Sequence, residues 1–437
     1  MPGQRQWRLL AGLWGVALVL VILAAGAASV AGQGGGEHRL WPEDLAYLGA
    51  FRLPEVPDEG WAYSGAAMAY YPDGDPHGPD DGFSGSLFAA GHDWYQHVSE
   101  ISIPVPVISA SHDVAALNVA TTLQPLQDIR GGMFDEMELP RVGLAYLPPQ
   151  GEQTTGKLYF AWAAHMGEGE THPSHGWCEL DLSHPQSAGP WRIGEYWNYV
   201  TGDYLVPIPV EWADRYTPGM VLATGRYRAG GQGAQGPSLL AIAPWREGNP
   251  PAPGSALPAV PLLLYGNAYD EASPRLNDYH HSDEWSGAAW LTAGDRSAVI
   301  FVGTKGTGDN WYGCADGTVW EEPYPDDCPD GERGWWSTGF VGQILFYDPA
   351  DLAAVAQGRM GTGDPQPYAV MALDDYLYHV DQGQMWYHVG AAAFDRARGL
   401  LYVMEPFADG DKPIVHVWRV SRGTACRAST ATNRGVW

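Results

Sequence analysis

Lysine is nearly missing from this chain. Only Lys157, Lys305 and Lys412 occur among 437 residues. Lysine and arginine together number 24 against 51 aspartates and glutamates, a formal net charge of −27. So negative a surface repels polyanions, which argues against nucleic acid and anionic membrane as partners. Cysteine is scarce as well. Cys178, Cys314, Cys328 and Cys426 fit no zinc spacing. In an exported protein four cysteines permit two disulfides. Cys314 and Cys328 share one segment with little core of its own and are the favoured pair. A bond between Cys178 and Cys426 stays open, with a buried free thiol at Cys178 as the alternative.

Several catalytic signatures are absent. No Gly-x-Ser-x-Gly elbow occurs, so a serine hydrolase has no support. The glycine-rich run GTKGTGDNWYG (residues 303–313) lacks the Gly-Lys-Ser/Thr ending of a nucleotide loop and precedes no helical pattern. Asp73, Asp75, Asp80 and Asp81 are oxygen-rich, but their spacing is not that of an EF-hand. They allow at most a structural calcium, and no cofactor follows with certainty. Long helical periodicity is missing after the N-terminus. Residues 349–358 (PADLAAVAQG) are the exception, a proline-led stretch of about two turns.

Only one long apolar run exists, over residues 9–30, preceded by Arg5 and Arg8 and ending in Ser29-Val30-Ala31. Residues 1–31 therefore read as an export signal, with an uncleaved membrane anchor as the alternative. The expected location is extracellular or in the cell envelope. Residues 32–44 read as a linker, 45–422 as one folded domain and 423–437 as a tail.

What the chain does contain is a weak repeat, seen five times. Each unit opens on a strand rich in small residues, turns, and continues with an apolar strand and then a third strand. The first strands include SGAAMAYYPDG (64–74), RVGLAYLPPQG (141–151), GDYLVPIPV (202–210), SGAAWLTAGD (286–295) and HVGAAAFDRARG (388–399). Outer strands fit at residues 119–129, 189–197, 259–267 and 367–374, but none follows the fifth unit. The missing one appears at the other end, LAYLGAFRLP (45–54). The sequence thus predicts an all-β fold: a five-bladed β-propeller with four strands per blade, its last blade closed by the N-terminal strand, which removes an open sheet edge. Small residues nearest the axis suit its crowding, and the 20 tryptophans suit the gaps between blades.

In this layout the inter-blade loops and the loops between second and third strands meet at one mouth of the axis. The inter-blade set brings Trp61, Tyr63, Glu136, Glu138, Arg141, Asn198, Asp203, His280, His281, Asp283, Glu284, Trp386, Tyr387 and His388. The within-blade set brings His92, Asp93, His165, Glu168, Arg226, Arg228, Lys305, Asp309, Trp311, Tyr312 and Glu405. Two clusters stand out. HHSDEW (280–285) places two imidazoles and two carboxylates in six residues, enough for an acid–base pair or a metal. GRYRAGGQG (225–233) puts Arg226 and Arg228 where they could grip a carboxylate or phosphate. Lys305, Asp309, Trp311 and Tyr312 suggest an aromatic platform for a sugar with hydrogen-bonding neighbours.

The runs YLGAFRLP, TGRYRAGGQGAQGPSLLAIAPW, AAWLTAGDRSAVIFVGTKGTGDNWYG, GQILFYDPADLAAVA and HVGAAAFDRARGLLYV resemble a family of exported bacterial β-propeller proteins. The likeness covers nearly all of the chain after the signal and implies no activity. At the level of fold the chain is similar to five-bladed propeller glycosidases and propeller lectins. The glycosidase pattern sets three carboxylates around the axis, largely on inner strands. Here those strands are mostly small and apolar, with Asp203 the main exception, and the carboxylates lie in loops. That departure weighs against glycosidase chemistry.

The expectation is therefore a protein that binds a polar ligand, a glycan before others, at the axial mouth. The alternatives are a polysaccharide hydrolase or lyase using Asp93 and Glu284 as its acid–base pair, and a scaffold that docks proteins through its sides.

Overall fold

The computed structural model describes residues 38–57, 60–78, 82–134, 141–163, 171–228, 235–325, 327–329, 333–379 and 389–421. Strand β1 (Leu45–Arg52) comes first but belongs to the last blade. Blade one is β2 (Met68–Tyr71), β3 (Ser86–Ala90), β4 (Val98–Ser102) and β5 (Thr122–Gln127). Blade two is β6 (Arg141–Leu147), β7 (Lys157–Ala163), β8 (His175–Cys178) and β9 (Ala188–Ile193). Blade three holds β10 (Tyr204–Pro207), the helix α1 (Val210–Tyr216), β11 (Leu222–Gly225) and β12 (Leu239–Ile242). The two-residue β13 (Ala256–Leu257) then joins blade two in parallel with β9, and β14 (Ala259–Leu263) completes blade three. Blade four is β15 (Glu284–Ala293), β16 (Arg296–Cys314), β17 (Arg333–Tyr347) and, after α2 (Pro349–Ala356), β18 (Ala369–Ala372). Blade five is β19 (Ala392–Asp395), β20 (Leu400–Asp409), β21 (Lys412–Val420) and β1. The inner strands β2, β6, β10, β15 and β19 neighbour one another in a closed cycle. The five-bladed propeller expected from the repeat is the observed fold.

Burial follows radial position. The second strands are covered on both faces, and β3 (SLFAA) and β7 (KLYFAWA) are buried throughout. The outer strands face water: no residue of β5 is buried, and β18 buries only Met371. Apolar clusters fill the seams between blades, with Trp162 between blades one and two and Trp418 between blades four and five. At the axis the inner strands approach backbone to backbone. A Cβ on Gly390 would stand 2.2 Å from the Gly65 carbonyl oxygen, and one on Gly287 2.4 Å from that of Gly390. This is the physical reason for the Gly-Ala stretches that open the units.

The ring closes where β1 runs antiparallel to β21, from Leu45 opposite Val420 to Arg52 opposite Ile414. The free edge of β1 is itself covered, because Ala50 exchanges backbone hydrogen bonds of 3.0 and 2.9 Å with Val107.

Three features depart from expectation. α1 follows β10, where the sequence suggests a longer strand. Its Trp212 packs edge-on against Trp290 and donates to the Pro349 carbonyl. β13 makes blade two five-stranded. The glycine-rich run at 303–313 is no loop: β16 and β17 continue past the blade as a two-stranded arm, pairing Trp311 with Trp336 and Tyr312 with Trp335. The Cys314–Cys328 disulfide fastens its end, as the placement of the two cysteines suggests. Cys178 is a buried free thiol whose pKa burial pushes up, and Cys426 lies outside the described residues. The signal reading of residues 1–31 also falls outside them. Among the described residues no helix is long and apolar enough to cross a membrane.

Candidate functional site

The axial mouth holds a pocket of about 270 Å³. Both expected loop types supply it. Tyr63, Arg141, His281 and Glu284 come from inter-blade connections, and Asp93, Arg228, Trp335 and Phe407 from the ends of second and third strands. Below it the axis narrows to about 10 Å³ of space around Gly143, Gly287 and Asp203. A second hollow of about 270 Å³ opens on the opposite face, lined mainly by apolar inner-strand residues such as Leu144, Leu205 and Trp290. Five charged side chains line the mouth and two, Asp395 and Arg396, the opposite hollow.

Three polar atoms in the mouth are buried with no hydrogen-bond partner among the described residues: Glu284 Oε2, His281 Nε2 and Ser286 Oγ. An unpaired buried polar atom costs roughly 1–3 kcal/mol, so three in one cavity point to groups left for a ligand. The backbone adds a second sign. Among the described residues six non-glycine residues have positive φ, and Tyr63, Gln96 and Phe407, three of the six, line this mouth. Strain of this kind collects at ligand sites.

The charge states follow from burial. Burial raises the Glu284 carboxyl above the ordinary carboxylate range; Arg141, Arg228 and Arg226 oppose the shift and Asp203 adds to it. Desolvation also raises Asp93, against His92 and Arg141. His281 is pushed down to about 4 by burial and by Arg228, so it is neutral at pH 7. Its ring stacks on Trp335 at 4.2 Å between centroids, with Tyr269 stacked at 5.3 Å. Tyr63, Trp94, Tyr95 and Tyr269 are all more than half exposed, and Tyr63 lines the mouth itself.

Of the residues expected at the site, Tyr63, Asp93, Arg141, Arg228, His281 and Glu284 line the pocket together. The guanidinium of Arg141 lies 4.7 Å from the Tyr227 ring centroid. Arg228 donates 2.6 Å to the His281 carbonyl. His92 stands behind Asp93, its Nδ1 3.1 Å from the carboxylate. Arg226 is engaged inside the protein, 3.6 Å from Asp203 and hydrogen-bonded to the Asn198 carbonyl. Asp283 is fully buried and accepts from Lys305 Nζ at 3.1 Å, Gly306 N at 2.8 Å and His280 N at 3.0 Å. It shapes the wall, and Lys305 is held with it. Glu405 is fully buried too, accepting from the Tyr378 and His379 amides and paired with His416 at 2.8 Å. Asp309, Trp311 and Tyr312 ride on the arm: Asp309 is exposed, Trp311 donates to the Cys314 carbonyl, and Tyr312 meets Trp335 edge-on. His165, His388, Glu136, Glu138, Glu168, Trp386 and Tyr387 lie outside the described residues. Asp80 and Asp81 of the proposed calcium cluster do as well, and among the described residues no group of three or more metal-ligating side chains occurs.

Sequence reasoning missed Arg333, Trp335, Tyr227, Ser286 and Phe407. The alternation of β17 is the available signal. Arg333 and Trp335 are two apart and line the same pocket. In comparisons with known proteins, no family model matches the chain and no curated protein matches it. Function is therefore read from the mouth itself.

Proposed function

We propose that this is an exported propeller that binds a carbohydrate at its axial mouth. The observation that carries the reading is the meeting, in one pocket, of three unpartnered buried polar atoms with the partly exposed aromatic rings of Tyr63, Trp335 and Phe407. Sugars present hydroxyls to polar groups and apolar ring faces to aromatic ones, so this combination suits them. The five-bladed propeller fold is compatible with the reading, and fold alone does not decide function. Export is supported by the N-terminal apolar run and by the disulfide, which suits an oxidising compartment.

A glycan array probed with the full chain, followed by titration of the best binder, tests this. Trp335→Ala and Glu284→Gln are each expected to weaken binding roughly tenfold or more, the usual effect of removing a central anchor. Binding unchanged in both variants would overturn the reading.

A second reading has one observation behind it. Asp93 and Glu284 line the same mouth, so an acid–base pair acting on a polysaccharide is compatible with the site. Release of reducing ends or unsaturated products by the wild type, lost in Glu284→Gln, would establish it. Docking of proteins through the sides is the reading least supported, because the mouth is an open pocket.

A further inference from the structure

We propose that the mouth selects acidic glycans, gripping a sugar carboxylate between Arg228 and Arg333 while the sugar ring rests on Trp335. This names the ligand class within the carbohydrate reading and rests on that reading.

Charge distribution points there first. In a chain with 51 acidic and 24 basic residues, a pocket placed at random would be acidic. This one collects the guanidiniums of Arg141, Arg228 and Arg333 against the carboxyls of Asp93 and Glu284. Burial shifts Glu284 toward its neutral form, which widens the positive excess.

The engagement of the two arginines points the same way. Arg228 is fixed by its bond to the His281 carbonyl and lies beside the Tyr227 ring. Arg333 lies over the Trp320 ring at 4.6 Å. Among the described residues neither makes an ion pair within 4.0 Å; Arg228 feels the Glu284 carboxyl only across the pocket that both arginines line. The ion pair that such groups ordinarily make is left for a ligand. A guanidinium presents a planar fork that matches a carboxylate with two parallel hydrogen bonds.

Placement completes the case. Arg333 opens β17 opposite Cys314, next to the disulfide, so its backbone is anchored. Trp335 projects from the same side of the strand. A charged fork beside an aromatic plane, at the spacing of alternate strand residues, suits a carboxylate carried on a sugar ring.

The test is titration of the full chain with polygalacturonate, alginate and unsulfated chondroitin, each against its carboxyl-reduced form, with dextran sulfate as a further arm. At least one uronate polymer should bind at least about tenfold more tightly than its reduced form and than dextran sulfate. Arg333→Gln, an exposed position, should cancel that preference while leaving the thermal transition in place. Equal binding of acid and reduced forms, or an undiminished preference in Arg333→Gln, overturns the inference and leaves the carbohydrate reading standing. Tighter binding of dextran sulfate overturns the carboxylate assignment. Failure of every uronate polymer beside binding of a neutral array glycan overturns the inference alone, and failure of all glycans overturns both.

Discussion

At Asp283 burial and an ion pair pull a carboxyl in opposite directions, and burial wins. Desolvation lifts its pKa from 3.8 to about 6 despite Lys305 and two backbone donors. Between about pH 4 and 6 the folded protein holds a proton here that the unfolded chain has released, so this group makes stability fall as pH rises through that window. A rise of that size corresponds to about 3 kcal/mol. Denaturant melts of the wild type and Asp283→Asn should therefore diverge. On lowering the pH from about 7 to about 4 the wild type should gain up to about 3 kcal/mol relative to the variant. Parallel pH profiles would show that the carboxyl is ordinary. The same residue marks the limit of sequence reading. The cluster at 280–285 is visible as a functional stretch, but neighbouring carboxyls have opposite fates. Glu284 and Ser286 are two apart on β15 and line the mouth, whereas Asp283 turns into the wall. Which phase of an alternating strand faces the axis is decided by tertiary packing, which no residue spacing reveals.

The arm built from β16 and β17 is the element that the sequence hides. Its glycines at 303, 306, 308 and 313 read as loop punctuation. What makes it a ladder is cross-strand: Trp311 opposite Trp336, Tyr312 opposite Trp335, and the disulfide at the end. Because Arg333 and Trp335 sit on β17 within this arm, it ties the disulfide to the pocket. A Cys314→Ser variant, or the reduced wild type, should be cut faster by protease between residues 314 and 328. Under the proposed carbohydrate reading, affinity for the best-binding array glycan should fall, while the main thermal transition moves by only a few degrees, since the blades keep their cores. Unchanged cleavage and unchanged affinity would mean that the arm does not position the site.

For the whole molecule the repeat is a strong guide. Five units, four outer strands in place and a fifth at residues 45–54 lead to a closed ring, and β1 pairs with β21 as that closure requires. The Gly-Ala openings mark the axis because backbone approach leaves no room for a Cβ. Closure also sorts the loops, so the mouth can be located before its chemistry is. The chemistry of the mouth is not legible in sequence order, since Tyr227, Arg333 and Phe407 reach the pocket from separate blades. The central claim is that this mouth, and not the apolar hollow at the other end of the axis, holds the ligand. Its most direct test is a crystal structure of the full chain with the best-binding oligosaccharide. The expected result is a sugar ring stacked on Trp335, with a hydroxyl or carboxylate within hydrogen-bond reach of Glu284 or Arg228. A sugar bound on the opposite face or along the blade edges, with the mouth empty at saturating ligand, would contradict it.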